Sequence, residues 1–154
     1  MTEITDAIIS IYPPYADAIL KGTKTVELRR RIPDVPSGTR LWIYATRPIA
    51  AVVGVVTIAD VFRAHPRTIW MKHRKRTGVD HASFSAYFAD ADEAIAIFLA
   101  MAHRIGPITI KQLRKVRHKF HPPQVLLRLT EPEAKALREL ARRMSFESFA
   151  PLLP

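Results

Sequence analysis

Apolar positions along the chain gather into short runs broken by turn residues, and the period of the runs changes from one stretch to the next. Ile8 to Tyr12 reads as a first strand. Pro13-Pro14 then opens a helix, because a missing N–H costs nothing in the first turn and φ is already near its helical value. Gly22 ends that helix, and Lys21 in its last turn suits the dipole there. From Lys24 to Arg29 the period becomes two. Lys24, Val26 and Leu28 share one face and Thr25, Glu27 and Arg29 the other, which turns the apolar pair inward and leans Lys24 inward at the strand's mouth.

Pro33-Asp34-Val35-Pro36-Ser37-Gly38 forms a turn cluster, and Arg40 to Thr46 is a strand with apolar residues on both faces. Such a strand is buried on both sides or sits in a barrel wall. Ala51 to Val61 is another β-rich run, in which Gly54 marks a bulge or a close approach. Glu93 to Ala102 has helix-favouring alanines, but Ile95, Ile97, Leu99 and Met101 alternate, so it is read as a strand. Val125 to Leu129 is the final strand. A helix follows from about residue 131 to 146, capped by Thr130 with Glu133 three residues on, and the last residues are expected to pack or fray. Neither an internal repeat nor a low-complexity linker interrupts residues 1–154, which predicts a single domain long enough to bury a core. Several short β segments with helices between them point to a closed or partly closed barrel.

Composition narrows the function classes. The chain has no cysteine, which excludes disulfides, thiolate metal sites and cysteine nucleophiles and fits a reducing compartment. Met1-Thr2-Glu3-Ile4-Thr5-Asp6 lacks a basic segment followed by an apolar run, and no stretch reaches membrane-spanning length, so a soluble, cytoplasmic protein with no membrane partner is expected. Lys plus Arg number 24 against 14 Asp plus Glu, a formal net charge of +10. A field of that sign attracts polyanions through counterion release, with binding that weakens as salt rises; an acidic protein is the other partner it admits.

The cations cluster. One run covers Arg63, His65, Arg67, Lys72, His73, Arg74, Lys75 and Arg76, with Ile69, Trp70 and Met71 among them. Aromatic residues interleaved with charge can stack bases, although a large aromatic such as Trp70 more often anchors a core. The second run covers Lys111, Arg114, Lys115, Arg117, His118, Lys119 and His121, and is amphipathic because Ile110, Leu113 and Val116 recur at helical spacing. His118 and His121 have the spacing of a metal pair, but no third ligand accompanies them and their basic surroundings repel a cation. No resident metal or other cofactor is expected; a divalent ion enters only as an aid to nucleolytic chemistry, with Glu27 the sole carboxylate near the site.

Lys24 is open to two readings. Partial burial disfavours an ammonium and lowers its pKa, which is how lysines become bases or nucleophiles. Alternatively it snorkels to solvent over an apolar rim. Glu27 could order Lys24, hold a base by accepting from its exocyclic amine, or pair with Arg29 on the same strand face, and the ion pair is the simplest of these. Arg30 and Arg31 extend the charge.

The run from Ile19 to Arg29, followed by Gly38-Thr39-Arg40-Leu41-Trp42-Ile43-Tyr44-Ala45-Thr46 and Val53-Gly54-Val55, resembles the ASCH domain, named for homology to activating signal cointegrator 1. Phe84-Ser85-Ala86-Tyr87-Phe88 before Ala94-Ile95-Ala96-Ile97, and Pro122-Pro123-Gln124 before an apolar strand, are similar to bacterial stand-alone members, so the resemblance covers nearly the whole chain. It implies an α+β fold, a PUA-like mixed β-barrel with flanking helices, and RNA as the ligand class. It also places a ligand cleft beside the helix-to-strand turn. Lys24, Thr25, Glu27 and Arg29 match the first motif, and Tyr44 and Thr46 the second.

Three functions follow. The first is a module that binds single-stranded or looped RNA through Lys21, Lys24, Thr25, Arg29, Arg30, Arg31, Thr46, Arg74, Lys75, Arg114, His121 and Gln124, with Tyr44 as a stacking face. The second is a ribonuclease in the same cleft, with Lys24, Glu27 and Tyr44 as the catalytic candidates. Related proteins often carry a hydroxyl residue directly after Pro-Pro-Gln, where this chain has Val125. The third is an amidohydrolase, because one ASCH branch removes acetyl from N4-acetylcytidine. That branch has a threonine where this chain has Glu27, and no second carboxylate is placed by Asp90, Asp92 or Glu93, which read as loop-solvating acids.

Overall fold

The structure, a computed structural model, describes residues 5–149. Both the extreme N-terminus and the last residues, expected to pack or fray, lie outside the described residues. In chain order the elements are β1 (Asp6–Ile11), α1 (Pro13–Lys21), β2 (Val26–Arg29), β3 (Arg40–Ala45), β4 (Ala51–Ala64), α2 (Pro66–Thr77), α3 (His81–Tyr87), β5 (Ala94–Thr109), α4 (Ile110–Val116), β6 (Leu126–Arg128) and α5 (Glu131–Phe149).

The six strands form one sheet in the order β2-β5-β4-β3-β1-β6. All neighbours are antiparallel except β1 and β3, which run parallel in the register Asp6 to Arg40 through Ile11 to Ala45. The long β4–β5 ribbon shifts register between Val52 and Gly54, Val55 and Thr57, and Ile58 and Asp60. Each shift bends and twists the strand, and the sheet curls into a half-barrel whose free edges are β2 and β6. Gly54 sits where the leucine of α1, Leu20, and the carbonyl of His103 leave no space for a Cβ, so the glycine is a close approach as well as a bulge.

Alternation in the central strands serves two cores. Ala7, Ile9 and Ile11 of β1 with Leu41, Ile43 and Ala45 of β3 face α1, whose Ala16 and Ile19 are buried against them. Ile8, Trp42 and Tyr44 face the other way, onto Leu113 of α4, Phe120, and Leu137 and Ala141 of α5. A third cluster closes the β2 edge, where Val26 and Leu28 pack under Ile69 of α2 and Phe84 and Phe88 beyond it. Each fully buried side chain of this size contributes roughly 1.5–3 kcal/mol, and both faces of the sheet are therefore held by helices.

Several boundaries differ from the sequence reading. β4 runs to Ala64 and β5 to Thr109, because each is the other's ladder partner along most of its length. The basic run between Arg63 and Arg76, to which periodicity gave no element, continues β4 and then folds as α2. Trp70 is half-buried at the margin of its cluster, 4.8 Å from the ring of Phe84, and His81 covers it at 5.1 Å. The C-terminal helix begins at Glu131 as expected and reaches Phe149. Its start is a reciprocal cap, in which Glu133 N–H donates to Thr130 Oγ1 and Thr130 N–H donates to Glu133 Oε1.

Candidate functional site

The end of α1 sets the site. Gly22 takes φ of 84°, a left-handed value that glycine reaches without penalty, and the carbonyl of Ala18 then accepts the N–H groups of both Thr23 and Lys24. β2 starts only at Val26, so strand alternation does not place Lys24. Its side chain instead turns back into the molecule, where it is 1 % exposed.

Three groups receive it. The Lys24 ammonium donates to the carbonyl of Thr77 at the C-terminus of α2, lies 3.4 Å from Glu27 Oε1, and stands 5.1 Å from the centroid of the Tyr15 ring. Gly78 lies against the lysine stem, so a Cβ there would come within 3.1 Å of Lys24 Cβ. Burial lowers the Lys24 pKa below its ordinary value of 10.5, Glu27 works against that shift, and the Arg29 charge adds slightly to it. Snorkelling is thus overturned: the ammonium is inside and paired.

Glu27 is buried too, contrary to an outward strand face, because α1 and the 79–87 segment cover that side. Its Oε1 accepts the N–H of Leu28 at 3.1 Å, and its Oε2 accepts Arg29 Nη2 at 2.9 Å and Nε at 3.2 Å. Arg29 Nη2 also donates to the carbonyl of Ser10 at 2.7 Å. The ion pair read from the sequence is therefore present, and Lys24 extends it into a row of alternating charge.

This row lies along a cleft of about 220 Å³. Ligand pockets usually run from about 300 to 1,000 Å³, so this one suits a group the size of a single nucleobase. Leu28, Val79 and Phe84 supply apolar walls, and Tyr12, Tyr15 and Tyr87 supply rings. Tyr12 is 66 % exposed and Tyr87 38 %, so two aromatic faces stand open at the rim.

The other sequence candidates divide around this cleft. Thr25 is a joint: its N–H donates to the Arg76 carbonyl and its hydroxyl accepts from Arg76 Nε, tying the site to α2. Lys21 is exposed and paired with Asp17 at 2.8 Å. Arg30 holds the end of α3 by donating to the carbonyls of Tyr87 and Ala89, while Arg31 is exposed. Arg74 and Lys75 project from α2, and Arg114 lies on α4, where its Nε donates to the Phe120 carbonyl. His121 and Gln124 are exposed on a loop fastened to β1 by the hydrogen bond from Ser10 Oγ to the Pro123 carbonyl.

Tyr44 and Thr46 are not brought to the cleft. Tyr44 is 3 % exposed, its ring 6.3 Å from that of Phe120 in the cluster under α4 and α5, where burial raises its pKa. Its odd-even position in β3 explains this, because Tyr44 shares a face with Trp42 and not with Ile43. Thr46 is half-buried just beyond β3, with its N–H on the Ile11 carbonyl. Sequence reading missed the walls made by Tyr12, Tyr15 and Tyr87. Proximity to the Pro13-Pro14 helix start was the available signal for the first two.

Among the described residues, no group of three or more His, Asp and Glu side chains gathers in one place, and no helix is long and apolar enough to cross a membrane. The family model of the ASCH domain matches residues 9–120. The chain belongs to the ASCH family. Among relatives, the ASCH domain-containing ribonuclease of Zymomonas mobilis is 36 % identical over 147 residues, covering 94 % of this chain and 99 % of that protein. The crystal structure of an ASCH protein from Zymomonas mobilis superposes with a TM-score of 0.86 at 36 % identity, over 88 % of this chain and 94 % of that one. A Leishmania major protein of 9 % identity reaches a TM-score of 0.57 over 92 % of this chain and 96 % of its own, a likeness of fold alone. The half-barrel with flanking helices is thus the PUA-like ASCH architecture.

Proposed function

We propose that this ASCH protein binds single-stranded RNA by drawing one unstacked base into the cleft beside Lys24, Glu27 and Arg29. The observation that carries this reading is the open pair of rings, Tyr12 and Tyr87, standing over a buried row of charge. Every base has a π-face that an aromatic ring can stack, and the Arg29 guanidinium that lines the cleft can meet a base edge or a phosphate. Lys24 supplies positive potential from inside the wall, since Thr77 and Glu27 present acceptors that suit an ammonium.

Hydrolysis of the bound RNA is the second reading, favoured by the relative that is named a ribonuclease. In that reading Arg29 and Lys24 stabilise developing negative charge at a phosphate. Lys24 is a poor first choice for the base, because a carbonyl and a carboxylate oxygen both hold its proton in place.

One experiment separates the two. A short RNA labelled at both ends is titrated with the protein, with and without magnesium, and followed by anisotropy and by gel. Saturable binding with intact RNA supports the module, and shortened products support the nuclease. Absence of both contradicts the proposal, and equal affinity for DNA of the same sequence removes its RNA preference.

A further inference from the structure

Cations are distributed unequally over the helices. On α5, Arg138, Arg142 and Arg143 each face a carboxylate. α2 contains no acidic residue, and among the described residues Arg67, Lys72, Arg74, Lys75 and Arg76 form no ion pair. Lys72 and Arg76 stand at i,i+4, where like charges repel, and both spread over rings, at 5.8 Å from Phe62 and 5.0 Å from Phe98. Cations in a last helical turn do suit the dipole. That accounts for Arg74, Lys75 and Arg76 singly, but not for Arg67 in the first turn or for an exposed Met71 among them.

Arg67, Met71, Arg74 and Lys75 fall on one stripe by helical spacing, and all four are exposed. The stripe is the outer face of α2, and the helix ends against the wall of the cleft. At its end the Arg76 carbonyl and side chain hold Thr25, and the Thr77 carbonyl holds the Lys24 ammonium. The second basic group, Lys111, Arg114 and Lys115 on α4, has no such connection, since α4 packs on the opposite face of the sheet with Tyr44 and Phe120.

We infer that α2 is the phosphate track of the Lys24 cleft: a single-stranded RNA with one base between Tyr12 and Tyr87 lays its backbone along Arg67, Arg74 and Lys75. This rests on the RNA-binding reading above and adds a path and a length to it. From Arg67 to Lys75 the helix rises about 12 Å, and at the roughly 3.4 Å spacing of stacked nucleotides this accommodates about four phosphates. Met71 gives the stripe an apolar contact for a ribose or base face.

The test is a length and salt series with oligouridylates of one to eight nucleotides on the full chain. Affinity is expected to rise up to about four or five nucleotides and then level off. Each phosphate neutralised on a single strand contributes about 0.7 to the slope of log K against log salt, so Arg74→Gln with Lys75→Gln should lower that slope by about 1.4. Lys111→Gln with Lys115→Gln on α4 should leave it unchanged. Thermal melts of both double variants confirm that the fold is intact.

An unchanged slope in the α2 variant, or an equal loss in the α4 variant, overturns the track. If the Tyr12→Ala variant still loses affinity in that case, the cleft reading stands by itself. Absence of RNA binding by the wild type removes both readings. Binding of polyglutamate in place of RNA, with the same dependence on Arg74 and Lys75, assigns the stripe to an acidic protein and overturns the inference.

Discussion

Two buried carboxylates divide the molecule into a part that holds and a part that is arranged to receive. Asp6 has a fully buried side chain and is surrounded by protein donors: Trp42 Nε1 at 2.8 Å, Arg138 Nη1 at 3.1 Å and Arg40 Nη1 at 3.5 Å. These partners come from β3 and α5, so the aspartate clamps the C-terminal helix to the sheet. Glu27 is also buried, and meets a backbone N–H, an arginine and a lysine, yet its row of charge lines a cleft with open tyrosine rings. A buried ion pair is weak evidence for stability, because desolvation offsets much of its attraction. The contrast therefore lies in what surrounds the pairs, and the surroundings of Glu27 include space for a ligand.

The largest expected effect falls on the holding side. Asp6→Ala leaves the buried indole N–H of Trp42 without its acceptor and takes from Arg138 one of the two carboxylates it meets, Glu131 being the other, and breaking a buried pair in this way costs about 3–5 kcal/mol. Urea denaturation should show that loss, while RNA affinity of the protein that remains folded stays at the wild-type value. A variant that loses RNA binding without losing stability would reverse the roles of the two carboxylates.

Glu27→Gln is the matching change in the cleft. It keeps the shape but removes the charge that opposes desolvation of Lys24, so a smaller stability loss of about 1–3 kcal/mol is expected. The Lys24 pKa should fall further, because the Glu27 charge is what raises it. Reactivity of Lys24 toward an amine-selective reagent, measured against pH, reads that shift directly.

The smallest effect is a pH dependence. The Lys24 pKa in the folded protein lies below 10.5, with burial as its main cause. Between that depressed value and 10.5 the unfolded chain holds more protons than the folded one, so stability attributable to Lys24 rises with pH across the window. The difference in unfolding free energy between wild type and Lys24→Met should therefore grow in the wild type's favour through the alkaline range. A difference that falls as pH rises contradicts the buried assignment.

Much of the holding part was legible in the sequence. Pro13-Pro14 and Gly22 marked both ends of α1, the two-faced apolar pattern of Arg40 to Thr46 marked a central strand, and Thr130 with Glu133 marked the last helix. These signals are local, and the chemistry that makes them lies within a few residues. The receiving part depends on tertiary proximity. Lys24 meets Thr77, and Tyr12 shares a cleft with Tyr87, across separations that no periodicity spans. Tyr44 looked suitable for stacking because its residue type was right, but its face of β3 turns it under α4 and α5. α2 escaped notice because its apolar stripe is short, with Ile69 the buried aliphatic residue at its centre. Pro66 at its start and Gly78 at its end, the latter at φ of 68°, were the punctuation that could have revealed it.

The central claim is that the cleft, and not another basic surface, takes a base of single-stranded RNA. Its most direct test is the affinity of Tyr12→Ala for a short single-stranded RNA beside its melting temperature. Tyr12 is largely exposed, so the fold should be unaffected, whereas base stacking on an aromatic ring contributes about 1–3 kcal/mol and its loss should weaken binding by about fivefold or more. Wild-type affinity in a correctly folded Tyr12→Ala protein would contradict the account.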